Sequence, residues 1–187
     1  VGRLEQTMGV RATSTAEMIF EEARAPEDAV LGRPGEGLRQ AMTVLRGAWI
    51  GIAAQAVGIG RAILEESLSH ARAREQFKEP ISSFQAVQWK LADMAAELDA
   101  SELLTLRAAW LKDHNSPHEK EAAMAKMYAS DTTMKASIEG VQILGGYGYC
   151  KRYPMERHMR DAKVCQIYEG TNEIMRLVIA RNLADGR

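Results

Sequence analysis

The sequence is short of several things that would classify it at once. Cys150 and Cys165 are its two cysteines among 187 residues. That is too few for a disulfide framework, and beside ten methionines it suits a reducing compartment. Neither sign of charge is in excess: 24 Lys and Arg against 25 Asp and Glu give a net charge of −1. Nucleic-acid and anionic-membrane binders carry a basic excess or patch, so both classes are disfavoured. No unbroken apolar run approaches the roughly 18–20 residues that cross a bilayer, so no membrane span is expected. The chain also lacks an initiator methionine and a charged-then-apolar leader. Val1 runs straight into patterned sequence, which reads as part of a longer chain. The remaining composition, 46% hydrophobic and 26% charged, is that of a globular protein. At this length folding hides about 70% of the chain's surface, enough for one substantial core.

Metal and dinucleotide signatures are missing too. Di-iron bundles need inward Glu-x-x-His pairs, but Ser67, Leu111, Asn115 and Met155 stand three residues before the four histidines. There is no His-Glu-x-x-His, and the cysteines lack ligand spacing, so no metal is expected. Gly58-Ile59-Gly60 and Gly146-Tyr147-Gly148 begin a Gly-x-Gly-x-x-Gly pattern, but Ile63 and Lys151 occupy the third glycine's place. Neither follows a strand in a βαβ unit, and a Rossmann reading is rejected.

What is present is mostly helical. Residues 1–34 differ from the rest: Thr13, Thr15, Met18, Ile19 and Phe20 form a β-compatible stretch, followed by a turn at Ala25-Pro26-Glu27-Asp28. Val30-Leu31-Gly32 and a second breaker cluster, Arg33 to Gly37, complete it. Two short strands cannot bury a face alone, so they are expected to belong to a larger sheet. From Leu38 the period turns helical, with Leu45, Trp49, Ile52, Ala56, Ile59 and Ile63 on one face. Gly47, Gly51, Gly58 and Gly60, with Ala53, Ala54 and Ala56, make a small-residue strip that permits a neighbour to approach closely. A second helix is predicted from about Ser82 to His114, with Phe84, Val87, Leu91, Met94 and Leu98 as its seam and Ser82 or Ser83 as its cap. A third runs from about His118 to Leu144 on an Ala122, Ala125, Ala129, Thr132, Ala136 stripe and stops at Gly145-Gly146. Shorter helices are predicted near Pro154–Arg160 and Thr171–Leu183. Long helices joined by short breaks make an antiparallel up-and-down bundle.

Three clusters exceed what a plain bundle needs. Arg74-Glu75-Gln76-Phe77, followed by Pro80-Ile81 and Phe84-Gln85, puts a guanidinium beside a fresh helix start, a combination suited to phosphate; otherwise it is a solvated loop with Phe77 plugging the core. Gln142-Ile143-Leu144-Gly145-Gly146-Tyr147-Gly148-Tyr149 offers backbone amides that a ligand can approach, or is merely a helix stop. Ile167-Tyr168-Glu169-Gly170-Thr171-Asn172-Glu173 sets a carboxylate at the mouth of a helix. Burial in an apolar cleft there would raise its proton affinity and suit it to general-base work. The plain alternative is that Glu169 and Thr171 cap the last helix.

Taken together and in this order, these clusters resemble the acyl-CoA dehydrogenases, from about Gly9 to the C-terminus. The resemblance implies a mainly α fold: a C-terminal up-and-down four-helix bundle (35–187) preceded by the tail of a middle β domain (1–34). It implies FAD-dependent oxidation of an acyl-CoA thioester to the trans-2-enoyl-CoA, with electrons passed to electron-transferring flavoprotein. Glu169 in Tyr-Glu-Gly-Thr matches the family's α-proton base. Arg74, Gln76 and Phe77 would contact the FAD of a neighbouring subunit, with Gln85, Gln142, Ile143, Gly145 and Gly146 as the other part of that shared site. Thr171 and Glu173 would lie near the cofactor of their own subunit, and Tyr168 and Gly170 would line the thioester. A homo-oligomer, dimer or tetramer, follows from the shared site; a bacterial cytoplasmic setting is expected first and a mitochondrial matrix second. One departure stands out. The family typically carries Asp or Asn, then Arg three residues later, on the first bundle helix to hold CoA; here Arg46 and Trp49 occupy those places. Arg46 and Trp49 are kept as substrate-binding candidates, with an atypical acyl group as the favoured account; a different partner subunit completing the site, or a local shift with Arg46 doing the arginine's work, are the alternatives. An acyl-CoA oxidase-like flavoprotein and a non-catalytic partner subunit are the alternatives to a dehydrogenase.

Overall fold

The computed structural model describes residues 1–186. Six helices and one small hairpin follow in order: α1 (Gly37–Ala73), β1 (Glu75–Gln76), β2 (Glu79–Pro80), α2 (Gln85–Asp113), α3 (Glu119–Leu144), α4 (Gly146–Tyr149), α5 (Met155–Val164) and α6 (Asn172–Ala184). The long helices begin and end within three residues of where periodicity places them. The serines do not cap α2 as expected. Ile81–Ser83 forms a 3₁₀ turn and Phe84 is the N-cap, without a side-chain hydrogen bond.

Helix α3 is the axis of the bundle, packing against α1, α2, α4, α5 and α6. The reason is its side chains. Ala122, Ala125, Ala129, Thr132 and Ala136 are all buried, and small residues let several helices approach one backbone. Two apolar clusters flank it. Trp49, Ile52, Ala53, Ala56 and Val57 of α1 meet Ala108, Ala122, Ala125, Cys165 and Met175 at one end. Ile63, Ala71, Met94, Ile143, Leu144 and Met155 form the other. Ile59 packs against both. Ion pairs set the register between helices: Arg46–Glu119 joins α1 to α3, Arg61–Glu102 joins α1 to α2, and Lys90–Glu139 and Lys135–Glu97 join α2 to α3. Partly exposed pairs of this kind contribute about 0–1 kcal/mol each, so the apolar seams hold the bundle and the charges align it.

Helix α1 corrects the expectation about membrane length. It is long and apolar enough to cross a bilayer by length and composition, a property that its glycines and alanines give it without an unbroken run of large apolar residues. Of its apolar 18-residue window 39% is buried inside the protein, and Trp49, Ile52, Ala53, Ala56 and Ile63 are among the helix residues buried as it packs on α2 and α3.

The segment before α1 contains no regular strand. Arg3 to Glu5 and Thr15 to Glu17 nevertheless run antiparallel, through one bridge between Leu4 and Ala16 and hydrogen bonds such as Gly2 N–H to Glu17 O (2.8 Å) and Glu5 N–H to Thr15 O (2.9 Å). Met18, Ile19 and Phe20, expected within a strand, are exposed. The segment docks on α5: the Val10 amide donates to Asp161 Oδ1 (2.7 Å) and Arg160 donates to Met8 O (2.9 Å).

Of the four glycines on α1's strip, Gly60 is where helices come closest. A Cβ there would lie 2.3 Å from Leu98 Cδ2 and 3.0 Å from Thr133 Oγ1, whereas one at Gly58 would meet nothing within 4 Å. Gly60→Ala should therefore destabilise the chain by about 1–3 kcal/mol through overpacking. Gly58→Ala should stabilise it by about 0.5–1 kcal/mol through backbone entropy. Urea denaturation of the two variants beside the wild type checks the opposite signs.

Candidate functional site

The turn between α5 and α6 carries Glu169. Tyr168 N–H donates to Val164 O (3.0 Å) and Asn172 N–H reaches back to Gln166 O (3.0 Å), so the chain leaves one helix and enters the next within a few residues. This compression forces Glu169 to φ 56 and Gly170 to φ 113. A non-glycine residue held in the left-handed region costs on the order of 1–3 kcal/mol and persists where its surroundings over-determine it. Here they do. Trp49 Nε1 donates to Glu169 O (2.8 Å), and Lys126 Nζ donates to Gly170 O (2.7 Å) and to Asn172 Oδ1 (2.9 Å). The Glu169 side chain itself is exposed on this chain. The expected apolar cleft is thus not supplied by residues 1–186 alone.

Lys126 has no exposed surface. A buried ammonium is tolerated when its donors are used, and the partners here are the Gly170 carbonyl and an amide oxygen. Asn172 passes the network on, its Nδ2 donating to Asp131 Oδ1 (2.7 Å) and Ser130 Oγ (2.9 Å). Asp131 also accepts from Gln166 (2.6 Å) and Arg176 (3.0 Å), tying α3 to both ends of the Glu169 turn. Lys126, Asp131 and Gln166 did not stand out in the sequence, and Asn172 did so only as a member of the Tyr168–Glu173 cluster, without a role of its own. The available signal was a lysine placed among Ala122, Ala125 and Ala129, with Ser130, Thr133 and Ser137 following at 4, 3 and 4 residues, all of them buried.

The two residues that depart from the family's pattern have separate neighbourhoods. Trp49 is 2% exposed and serves as the indole donor under Glu169. Arg46, one turn earlier, pairs with Glu119 Oε1 (2.9 Å) and edges a recess formed by the α2–α3 connection, away from the Glu169 turn. Tyr168 lines an apolar hollow of about 220 Å³ with Met8, Val10, Thr13, Val164 and Ile167. Its hydroxyl donates to Gln55 Oε1, and burial, followed by nearby Cys165, raises its pKa. Burial likewise raises the Cys165 thiol. Thr171 is the N-cap of α6 without a side-chain hydrogen bond to the backbone. The Thr171 hydroxyl beside Glu173, with a backbone amide second, holds the Glu173 carboxyl below its usual range. Both residues edge a recess with Asp131, Gln166 and Arg176.

The remaining candidates gather at the other end of the bundle. Arg74, Gln76, Ile143, Gly145 and Gly146 line one open hollow of about 480 Å³, with His70, Ile81 and Tyr147. Gly145 ends α3 at φ 59 and ψ −132, a conformation a side chain rarely adopts, and a Cβ at Gly145 or Gly146 would meet nothing within 4 Å. The backbone is thus open to an incoming group. Arg74 is exposed and enters none of the ion pairs formed among the described residues. Phe77 does not plug the core. It and Lys78 turn the β1–β2 hairpin with φ 54 and 69, as a two-residue hairpin with both central residues left-handed requires. Phe77 is 88% exposed, resting edge-on to Phe84 with ring centres 6.1 Å apart. Gln85 and Gln142 are exposed near the hairpin and the end of α3. A strained, exposed aromatic, a guanidinium and bare glycine amides suit an extended phosphate-bearing cofactor with a planar ring. Among the described residues no group of three or more His, Cys, Asp or Glu side chains could hold a metal ion.

Burial lowers the pKa of Lys126, against the opposing pull of Cys165, Asp131, Glu173 and Glu169. Between the folded value and the ordinary 10.5, the unfolded chain keeps a proton that the folded chain has released. Stability therefore rises with pH across that window. Wild-type unfolding free energy should gain on that of Lys126→Met as pH rises from neutral towards the ordinary lysine value. Denaturant titrations at a series of pH values check it, and a pH-independent difference would refute it.

Comparison with known proteins agrees with this arrangement. Residues 35–184 match the family described as "Acyl-CoA dehydrogenase, C-terminal domain". The chain is 54% identical over 176 residues to the probable acyl-CoA dehydrogenase YngJ of Bacillus subtilis (strain 168), covering 94% of this chain and 46% of that protein. It is 50% identical over 183 residues to the mitochondrial short-chain specific acyl-CoA dehydrogenase of Bos taurus, covering 98% and 44%. The structure of butyryl-CoA dehydrogenase from Megasphaera elsdenii superposes with a TM-score of 0.97 at 43% identity, over 98% of this chain and 48% of that one. The chain spans about half the length of the curated relatives it matches. With the helical architecture, the two-strand hairpin and residues 35–184 all accounted for, this chain belongs to the acyl-CoA dehydrogenase family and represents its C-terminal domain.

Proposed function

We propose that the whole protein is an FAD-dependent acyl-CoA dehydrogenase acting on short-chain acyl-CoA thioesters, with Glu169 as the base that removes the α-proton. The observation that supports this is the Glu169 turn: Glu169 sits on left-handed backbone, its own carbonyl and that of Gly170 are held by two buried donors, and its side chain is left exposed at a fixed place. Trp49 supports the dehydrogenase over a subunit that has lost its site, because it holds the turn in place. The short-chain assignment rests on the relatives named as short-chain specific and as butyryl-CoA dehydrogenase.

In this reading residues 1–34 are the tail of a β domain, and 35–187 form the bundle. Glu169 receives the α-proton once the remainder of the protein closes over it and excludes water. Bound FAD would supply the acceptor for the hydride leaving Cβ. Arg74, Gln76, Phe77 and Gln85, with Gln142, Ile143, Gly145 and Gly146, would hold its pyrophosphate and adenine ends across a subunit boundary. Thr171 and Glu173 would lie beside the cofactor of their own subunit, and Tyr168 and Gly170 against the thioester. Arg46 is left to the α1–α3 ion pair. Exposed Leu103, Leu106 and Trp110 on α2, and Ile174 and Leu177 on α6, favour a homo-oligomer. Electron-transferring flavoprotein is the proposed acceptor, in a bacterial cytoplasm or a mitochondrial matrix.

The test uses the full-length protein. Its flavin spectrum should bleach anaerobically with butyryl-CoA in preference to long-chain thioesters. Glu169→Gln should slow bleaching by about 10²–10⁴-fold while FAD stays bound. Arg74→Ala should lower FAD retention without altering the helical content. Hydrogen peroxide released in air at the turnover rate would assign an oxidase instead.

A further inference from the structure

Glu169 and Gly170 are consecutive left-handed residues, and their two carbonyls are held by donors from different helices. Trp49 Nε1 of α1 takes Glu169 O at 2.8 Å, and Lys126 Nζ of α3 takes Gly170 O at 2.7 Å. Both donors are buried, Trp49 at 2% exposure and Lys126 at 0%. We propose that Trp49 and Lys126 are a pair of positioning residues that clamp the peptide planes on either side of Gly170 and so set where the Glu169 carboxylate stands. The inference rests on the reading of Glu169 as the base.

The physical argument is one of remaining freedom. Gly170 has no side chain to lock it, and its φ and ψ are the softest torsions in the turn. The Glu169 carbonyl belongs to the peptide plane before Gly170 and the Gly170 carbonyl to the plane after it. Fixing both oxygens removes rotation about Gly170 and with it the swing of the Glu169 Cα–Cβ bond. One donor alone would leave the other plane free. Lys126 also grips Asn172 Oδ1 at 2.9 Å, so the clamp is referred to the first residue of α6. A buried ammonium is a poor way to stabilise a bundle, since an apolar side chain of similar volume usually serves folding as well or better. Its location is explained by the carbonyl it holds. A reacting carboxylate displaced by about 1 Å loses on the order of 10²-fold in rate, which is the scale on which such a clamp matters.

The experiment compares Trp49→Phe, Lys126→Met and Glu169→Gln in the full-length, FAD-loaded protein. It measures FAD per subunit, the dissociation constant of the enoyl-CoA product, kcat and KM, and the kinetic isotope effect with α-dideuterated acyl-CoA. Trp49→Phe and Lys126→Met should keep their FAD and bind product within about threefold of wild type, while kcat falls about 10- to 100-fold and the α-isotope effect rises. If one variant loses FAD, the other decides by the same readout. Wild-type kcat and isotope effect in both, with Glu169→Gln inactive, would overturn the clamp and leave the base assignment standing. Loss of FAD or product binding in both would make the donors plain supports of the fold and also overturn it. Turnover by Glu169→Gln would remove the base reading, and the clamp with it.

Discussion

The Glu169 turn is arranged around a buried cation. Lys126 sits on the helix that touches every other long helix, and its ammonium is reconciled with the interior through oxygens of the α5–α6 turn and of the first residue of α6. Removing those oxygens would strand a charge in a medium that solvates it poorly, a penalty of several kcal/mol. The turn, the start of α6 and the polar seam of α3 are therefore interdependent. Asp131 closes the arrangement from the side, accepting from Gln166 before the turn and from Asn172 and Arg176 after it. An exposed loop would ordinarily be the softest part of a helical protein. This one is pinned at both ends and in its middle.

The opposite end of the molecule follows another logic. The β1–β2 hairpin and the stop of α3 converge on a shallow hollow with little internal support: an exposed phenylalanine on left-handed backbone, an arginine without an ion pair and glycines with open space beside them. Among the described residues Phe77 has its edge-on contact with Phe84, and Arg74 enters no ion pair. These features are compatible with the shared cofactor site proposed for the family's bundle, in which a group outside this chain satisfies them.

Most of the architecture could be read from periodicity. The seam Leu45, Trp49, Ile52, Ala56, Ile59, Ile63 does face the core, and Gly145 does end α3 in a conformation glycine accepts. Local rules failed where the outcome depended on distant partners. Trp49 counted as a core residue and as a departure from a motif, and the role of its N–H depended on a carbonyl 120 residues later. Lys126 was lost among alanines, because a helical lysine is normally solvated and its partners lie 44 and 46 residues away. For Phe77 hydrophobicity left a core plug open beside a ligand contact, and the left-handed turn it occupies projects it outward, which removes the plug. The strands expected in 1–34 reduce to a single bridge, since short β segments take their regularity from neighbours.

The three tryptophans differ sharply in their surroundings. Trp89 and Trp110 are 64% and 58% exposed on α2, while Trp49 is enclosed with its N–H committed to the backbone of the Glu169 turn. The indole of Trp49 is consequently a built-in optical probe: its emission is shielded from aqueous quenchers that reach Trp89, and displacement of that turn would uncover it.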